Sequence, residues 1–262
     1  SAYFSMQMGE LSATENAANS NVLISGMTLT SSTAQMNDIL AESRATLAIP
    51  VVSSTLPLPF SMSDIGMDYG LRASSTEDNF SELYQRIRVA SIESEIPVSS
   101  FSWLTEIKQV NNELIRDYSR LLSELQNEIN AGAETVSADF TELGQELYLL
   151  VLQNPLEFNN KIEANSYDGD HTAELRARWT GLSALNTAAE LDINAAIAAL
   201  NMTLQVSLDL ESILRSPLAG VVDPYVQQGY LTIANGRVLI EASLQDSVLR
   251  VNGDELPLDQ FF

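Results

Sequence analysis

Residues 229–258 close the chain in short apolar-polar alternations punctuated by Asn235-Gly236 and Asn252-Gly253. Both central residues of a type I′ turn need φ > 0, which Asn and Gly adopt at least cost. An Asn-Gly pair between alternating segments therefore specifies a two-residue hairpin. The segment predicts a closing β-meander. It constrains architecture and carries no chemistry.

The same period of two runs through the N-terminal third. Phe4, Met6 and Met8 share one face, with Ser5 and Gln7 opposite. Leu23, Met27 and Leu29 continue after a turn at residues 15–21, and Ala45, Leu47, Ile49 and Val51 precede a break at Pro57 and Pro59. Ser and Thr on the second face indicate strands packed on one side, hence an antiparallel sheet. Residues 62–72, with Gly66 and Gly70, read as a bulged strand, and Ile87 and Val89 mark a short one. From about Ser99 the spacing becomes three and four through Phe101, Leu104, Ile107, Leu114, Tyr118, Leu121, Leu125 and Ile129, predicting an amphipathic helix ended by Ala131-Gly132. A second helix carries Phe140, Leu143, Leu147, Leu150 and Val151, with Pro155 beyond it. Strands over 158–165 and 172–179 flank a turn at residues 167–170. An Ala-rich helix over 185–200 leads into the strand of Met202, Leu204, Val206, Leu208 and Leu210. A helix over 211–228 is broken near Pro217 and Pro224. No low-complexity linker divides the chain. The expectation is one unit, 1–262, with N-terminal strands (1–96), a helical pair (97–154) and C-terminal strands and helices ending in the meander (155–262). Its class is α+β: a large curved, mostly antiparallel β-sheet with amphipathic helices packed on one face.

Charge excludes some functions. The 262 residues hold 35 acidic against 13 basic side chains, a formal net charge of −22. Such a surface repels phosphate backbones and anionic headgroups, so nucleic-acid binding and electrostatic membrane docking are not expected. Lysine occurs only at Lys108 and Lys161, and acidity with scarce lysine fits a saline setting, where screening relieves self-repulsion. The absence of cysteine excludes disulfides, thiolate catalysis and Cys-ligated metals. No apolar run approaches the ~18 residues of a transmembrane helix.

Candidate chemistry is sparse. Asp168, Asp170 and the lone His171 are weak metal candidates, calcium first because two of them offer oxygens. A site needs three or four converging ligands, and a hairpin turn explains Asp168-Gly169 without one. No metal or other cofactor is expected. Serine hydrolysis lacks a G-x-S-x-G elbow, and Lys108 on the predicted helix reads as a solvated residue. Carboxylate pairs such as Glu93/Glu95, Glu163/Asp168 and Asp254/Glu255 arise by chance among 35 acids. Phosphate-cradling glycine loops are absent. The apolar strand faces are more informative. Phe4, Met6, Met8, Met27, Met62 and Met67 put adaptable side chains on one-sided strands, which could form a groove for acyl chains; the simpler reading is core beneath the helices.

From Tyr148 onward the succession of Pro155-Leu156-Glu157-Phe158, the Asp168-Gly169 turn, Arg178-Trp179-Thr180-Gly181-Leu182 and the strand from Leu204 to Leu208 resembles the C-terminal part of the YdgA-like family of bacterial envelope proteins. So does the ending: Gly229-Tyr230-Leu231, then Leu249-Arg250-Val251-Asn252-Gly253, Leu256-Pro257-Leu258 and Gln260-Phe261-Phe262. The resemblance implies a Gram-negative, periplasm-facing setting, with an N-terminal signal or membrane anchor preceding this C-terminal half. It supplies no catalytic residue. The expected role is then non-enzymatic, through protein contacts or a homodimer, with the exposed helix face and the strand edges near 248–258 as contact surfaces. An envelope protein or a lipid is the other partner. The alternative is a module handling lipid or another hydrophobic ligand on the apolar sheet face, and hydrolase activity is a remote third.

Overall fold

The computed structural model describes residues 1–15, 20–35, 41–55, 59–74, 79–95, 97–130, 138–183 and 185–257. Pro57, Ala131-Gly132 and the ending from Leu258 lie outside them. Among the described residues fifteen strands form one open sheet: β1 (Ala2–Met8), β2 (Leu11–Glu15), β3 (Ser20–Ile24), β4 (Met27–Gln35), β5 (Ala41–Ser54), β6 (Phe60–Ala73), β7 (Phe80–Ser94), β8 (Val98–Asn111), β9 (Leu156–Ser166), β10 (Gly169–Trp179), β11 (Leu200–Asp209), β12 (Thr232–Ala234), β13 (Arg237–Gln245), β14 (Val248–Val251) and β15 (Asp254–Leu256). The spatial order is β1-β4-β5-β6-β7-β8-β9-β10-β11-β13-β14-β15, with β12 on β13, β2 on β3 and β3 on β5. Every pairing is antiparallel. The fold is α+β with a large curved sheet, and the N-terminal and C-terminal strands are continuous through β8 and β9.

Turn chemistry sets the ribbon. Asn235-Gly236 (φ 51° and 73°) and Asn252-Gly253 (φ 50° and 93°) both take positive φ at two successive positions, as type I′ requires. Asp246-Ser247 makes the same turn without glycine. The β9–β10 turn is centred on Tyr167-Asp168 (φ 50° and 60°), not on Asp168-Gly169; Gly169 is already the first residue of β10.

Residues 98–111 are strand, which corrects the helix expected from Ser99. Helix α1 spans Asn112–Asn130, and Asn111 opens it by accepting a bond from the Glu113 N–H at 2.8 Å. Lys108 accordingly lies in β8, 3.7 Å from Glu106. The strand containing Ile87 and Val89 is far longer than expected. Two bulges re-aim β8: Lys108 and Gln109 (φ 57°) occupy the stretch opposite Glu82, and Ser99 is extra opposite β9. No register shift marks Gly66 or Gly70; the irregularity in β6 is Asp64 (φ 52°), opposite Pro50, which has no N–H to give the ladder. The Ala-rich stretch is helical only at a 3₁₀ turn (Ala188–Glu190) and α3 (Ile193–Ala199). Pro217 separates α4 (Leu210–Arg215) from α5 (Ala219–Gln227), whereas Pro224 sits inside α5.

Helices α1 and α2 (Ala138–Gln153) form a hairpin inserted between neighbouring strands β8 and β9. Helices α4 and α5 lie on the apolar face at the C-terminal side, where Ile213 and Val222 close over Val238 with Leu208 and Val226 around them. Among the described residues the rest of the sheet has no comparable cover. The accessible surface is 16,213 Å², whereas a compact monomer of 28.6 kDa exposes about 11,000 Å². The molecule is mostly a single layer, so much of one sheet face stays in reach of solvent.

Candidate functional site

Register turns the alternation into a face. Following direct cross-strand partners, Met6 meets Leu29, then Leu47, Met67, Ile87, Trp103, Ile162, Ala173, Val206 and Ile240. Ten strands contribute one apolar residue each. At about 4.8 Å per strand the row is roughly 43 Å long. The adjacent row on the same face is apolar from Ile49 through Ile65, Val89 and Phe101 to Ala164, whereas on the other side Leu71, Leu83, Ile107, Phe158, Ala177, Met202, Leu244, Leu249 and Leu256 form a further row beyond Tyr69, Gln85, Thr105 and Asn160. Met6 keeps 46% of its surface exposed, Trp103 38% and Ile162 37%. This is not core sealed beneath helices.

Phe4, Met6 and Met8 share this face, with Ser31, Leu29 and Met27 as their partners on β4. Met67 lies in the row itself. Met62 does not: it lies beyond the Pro50/Asp64 break, between Val52 and Ile92. Sequence reasoning placed Leu29, Leu47 and Ile87 on their own alternating strands without joining them into this face, and it missed Trp103 and Ile162. The alternation Phe101, Trp103, Thr105, Ile107 carried the signal for β8.

The opposite face is polar along the same path. Thr46 donates to Asp68 at 2.8 Å, and Asp68 also faces Arg44 at 3.6 Å and Arg88 at 3.8 Å. Arg72 pairs with Glu82 at 2.8 Å and Lys161 with Glu163 at 2.6 Å. Asp68 and Glu82 are largely covered while their arginine partners reach solvent, so screening keeps each pair's contribution small; their effect is to keep one side of the sheet polar. Along the break, a concavity of about 570 Å³ gathers Asp64, Arg88, Glu163 and Asp170. Its residues are already partnered in part: Asp170 accepts from Asn165 at 2.8 Å, and Glu163 holds Lys161.

The Asp168–His171 segment is a clamp for α4. Asp170 and His171 are successive strand residues and so project to opposite faces. Asp168 is 94% exposed and lies 3.8 Å from Arg215. His171 Nε2 is 3.2 Å from the Ser166 carbonyl oxygen and 3.1 Å from Ser212 Oγ. Ser212 is fully buried, and its Oγ donates to the Asp209 carbonyl at 3.0 Å. Asp209 caps α4 by accepting from Ser212 N–H at 2.8 Å. Arg215 donates to the Tyr167 carbonyl at 2.6 Å. A buried serine beside histidine, whose Nδ1 has no partner among the described residues, has neither substrate access nor, among those residues, a group to orient the base. Among the described residues no group of three His, Asp or Glu side chains gathers as a metal site. The carboxylate pairs are likewise dispersed: Glu93 and Glu95 are exposed near a strand end, and Glu255 is held by Arg250.

No described helix is long and apolar enough to cross a membrane. Comparison with protein-family models, curated proteins and solved structures finds no match, so the likeness to the YdgA-like family rests on the residues quoted above.

Proposed function

We propose that the protein is a non-catalytic binding module that holds extended lipid acyl chains along the apolar face of its sheet. The observation that carries this is the ten-strand apolar row, accessible from Met6 to Ile162 and backed by a predominantly polar opposite face. A flat protein partner would be matched equally by any apolar surface. A row one residue wide, flanked by a second apolar row and furnished with methionines, instead suits a flexible hydrocarbon chain. Its length exceeds that of a single fatty acyl chain, so one chain can settle in several overlapping positions. The envelope setting implied by the YdgA-like resemblance is proposed with it, since that is where acyl chains need carrying through water.

The test uses oleic acid and the two tryptophans. Trp103 lies on the row, whereas the Trp179 indole N–H is bonded to the Leu152 carbonyl at 2.9 Å. In a Trp179→Phe background, oleate is expected to blue-shift Trp103 emission saturably. Ile162→Asp, beside Trp103, should weaken binding at least tenfold, because a carboxylate there must be desolvated by the chain. Arg86→Ala on the polar face should leave it unchanged. Absence of saturable binding, or equal binding by Ile162→Asp, overturns the proposal.

A further inference from the structure

The two ends of the sheet are built differently, and that difference identifies a partner. At the C-terminal end β14 and β15 are four and three residues long and carry the Arg250–Glu255 pair and Asp254. Short strands and charges are the usual means of keeping a sheet edge from recruiting another. At the other end β1 pairs only with β4, and its outer side is open among the described residues. Its seven residues, Ala2–Met8, include no charge, proline or glycine, and Tyr3 and Phe4 are 72% and 53% exposed. None of the protective devices is present on β1, the longest edge strand among the described residues; beyond Gly9 and Glu10 the shorter edge strand β2 ends on a charge, Glu15.

The backbone polarity of that edge follows from the ladder. Ser74 N–H donates to the Phe80 carbonyl across β6 and β7. Alternation outward from that pair turns the N–H and C=O groups of Phe4, Met6 and Met8 toward β4 and leaves those of Tyr3, Ser5 and Gln7 pointing off the sheet. We infer that this edge is a self-association site: β1 pairs antiparallel with β1 of a second copy about a two-fold axis through Ser5. That register pairs all of Ala2–Met8 and sets Ser5 against Ser5, and Tyr3 of each copy against Gln7 of the other. All three outward-facing residues then exchange hydrogen bonds. A shift centring Phe4 or Met6 would leave strand ends unpaired. On the apolar face Phe4 meets Met6 of the second copy, a favourable thioether–aromatic contact, and the axis, perpendicular to the sheet, keeps both apolar faces on one side.

Charge permits the approach despite a net −22. Neither β1 nor β4 contains a charged residue; charges on the paired ladder begin with Glu42 and Arg44 in β5. Across the junction the two β5 strands are five strand spacings apart, about 24 Å, well beyond the screening length of about 8 Å at physiological ionic strength. The partner is therefore a copy of this chain. This inference concerns the edge, and its test uses no ligand, so it stands or falls apart from acyl binding.

The chain has no cysteine, so single thiols report register directly. Ser5→Cys places two thiols opposite one another, within disulfide reach, and copper-phenanthroline should yield a covalent dimer. Gln7→Cys leaves its thiols about 14 Å apart along the strands and should cross-link about tenfold less, out of disulfide reach; mixing Tyr3→Cys with Gln7→Cys restores the product. Sedimentation velocity of the cysteine-free protein at tens of micromolar should give a dimer, and Phe4→Lys, with its circular dichroism unchanged, a monomer. A wild-type monomer, or cross-linking of Gln7→Cys as readily as Ser5→Cys, overturns the inference.

Discussion

Gly169→Ala separates two physical accounts of the α4 clamp by the sign of its effect. Gly169 is not among the residues with positive φ, so an alanine there meets no backbone penalty. Considered alone, the substitution restricts the unfolded chain and should stabilise by about 0.4–1 kcal/mol. Packing predicts the reverse. A Cβ built on Gly169 comes within 2.5 Å of both Ser212 Cβ and Ser212 Oγ and within 2.7 Å of Asp209 Cβ. Those atoms belong to the helix cap and are fixed by the Asp209–Ser212 and Ser212–His171 bonds. Displacing α4 costs about 1–3 kcal/mol in overpacking and about 1 kcal/mol more if the cap is lost. The net expectation is destabilisation by about 2 kcal/mol. With a urea slope near 3 kcal/mol/M for a chain of this size, the midpoint should fall by about 0.7 M, whereas the entropic account raises it by about 0.2 M. Adding Ser212→Gly, which removes the Cβ and Oγ being struck, should recover part of the loss. A midpoint at or above wild type for Gly169→Ala alone refutes the clamp.

Other consequences follow from the same geometry. Arg215→Ala removes the bond to the Tyr167 carbonyl and should cost about 1 kcal/mol, less than additively with Gly169→Ala because both loosen the same helix; a full sum of the two urea shifts counts against a shared clamp. With a net charge of −22, self-repulsion should be relieved by screening, so the melting temperature should rise between about 20 and 200 mM NaCl; a flat or falling trend contradicts this. Glu190 has its carboxyl pKa lowered chiefly by the Asn186 backbone N–H, which donates to Oε2 at 3.1 Å. A lowered folded-state pKa means the contribution is present above the ordinary carboxylate range and lost as pH falls through the depressed value. Glu190→Gln should flatten only that acid limb, and weakly, since the group is exposed; an effect at neutral pH as large as that of Gly169→Ala would contradict this reading.

The sequence made the sheet legible where polar and apolar residues alternate without exception, and failed where one residue broke step. In β8 the apolar face is Phe101, Trp103 and Ile107, with Thr105 interposed and Leu104 on the polar side. Phe101, Leu104 and Ile107 then mimic helical spacing, and the bulge at Gln109 obscures where the strand stops. The capping Asn111 beside Glu113 was the local cue for the true helix start. Asn235-Gly236 and Asn252-Gly253 were readable because turn chemistry is local. The Tyr167-Asp168 turn was misplaced because the nearby Gly169 serves packing against Ser212, a contact forty-three positions away in the chain. The apolar row is the least local feature of all. Each strand shows only that it has two unlike faces, and a shift of one residue at any of nine pairings would divert the row to the wet side. That dependence on cumulative register is why Leu29, Leu47 and Ile87 could be read on their own strands but not joined with Trp103 and Ile162 into one track. It also means that the face is a property of the assembled sheet, so a local defect near Pro50 and Asp64 can set Met62 apart from the other methionines without disturbing the row on the near side of the break.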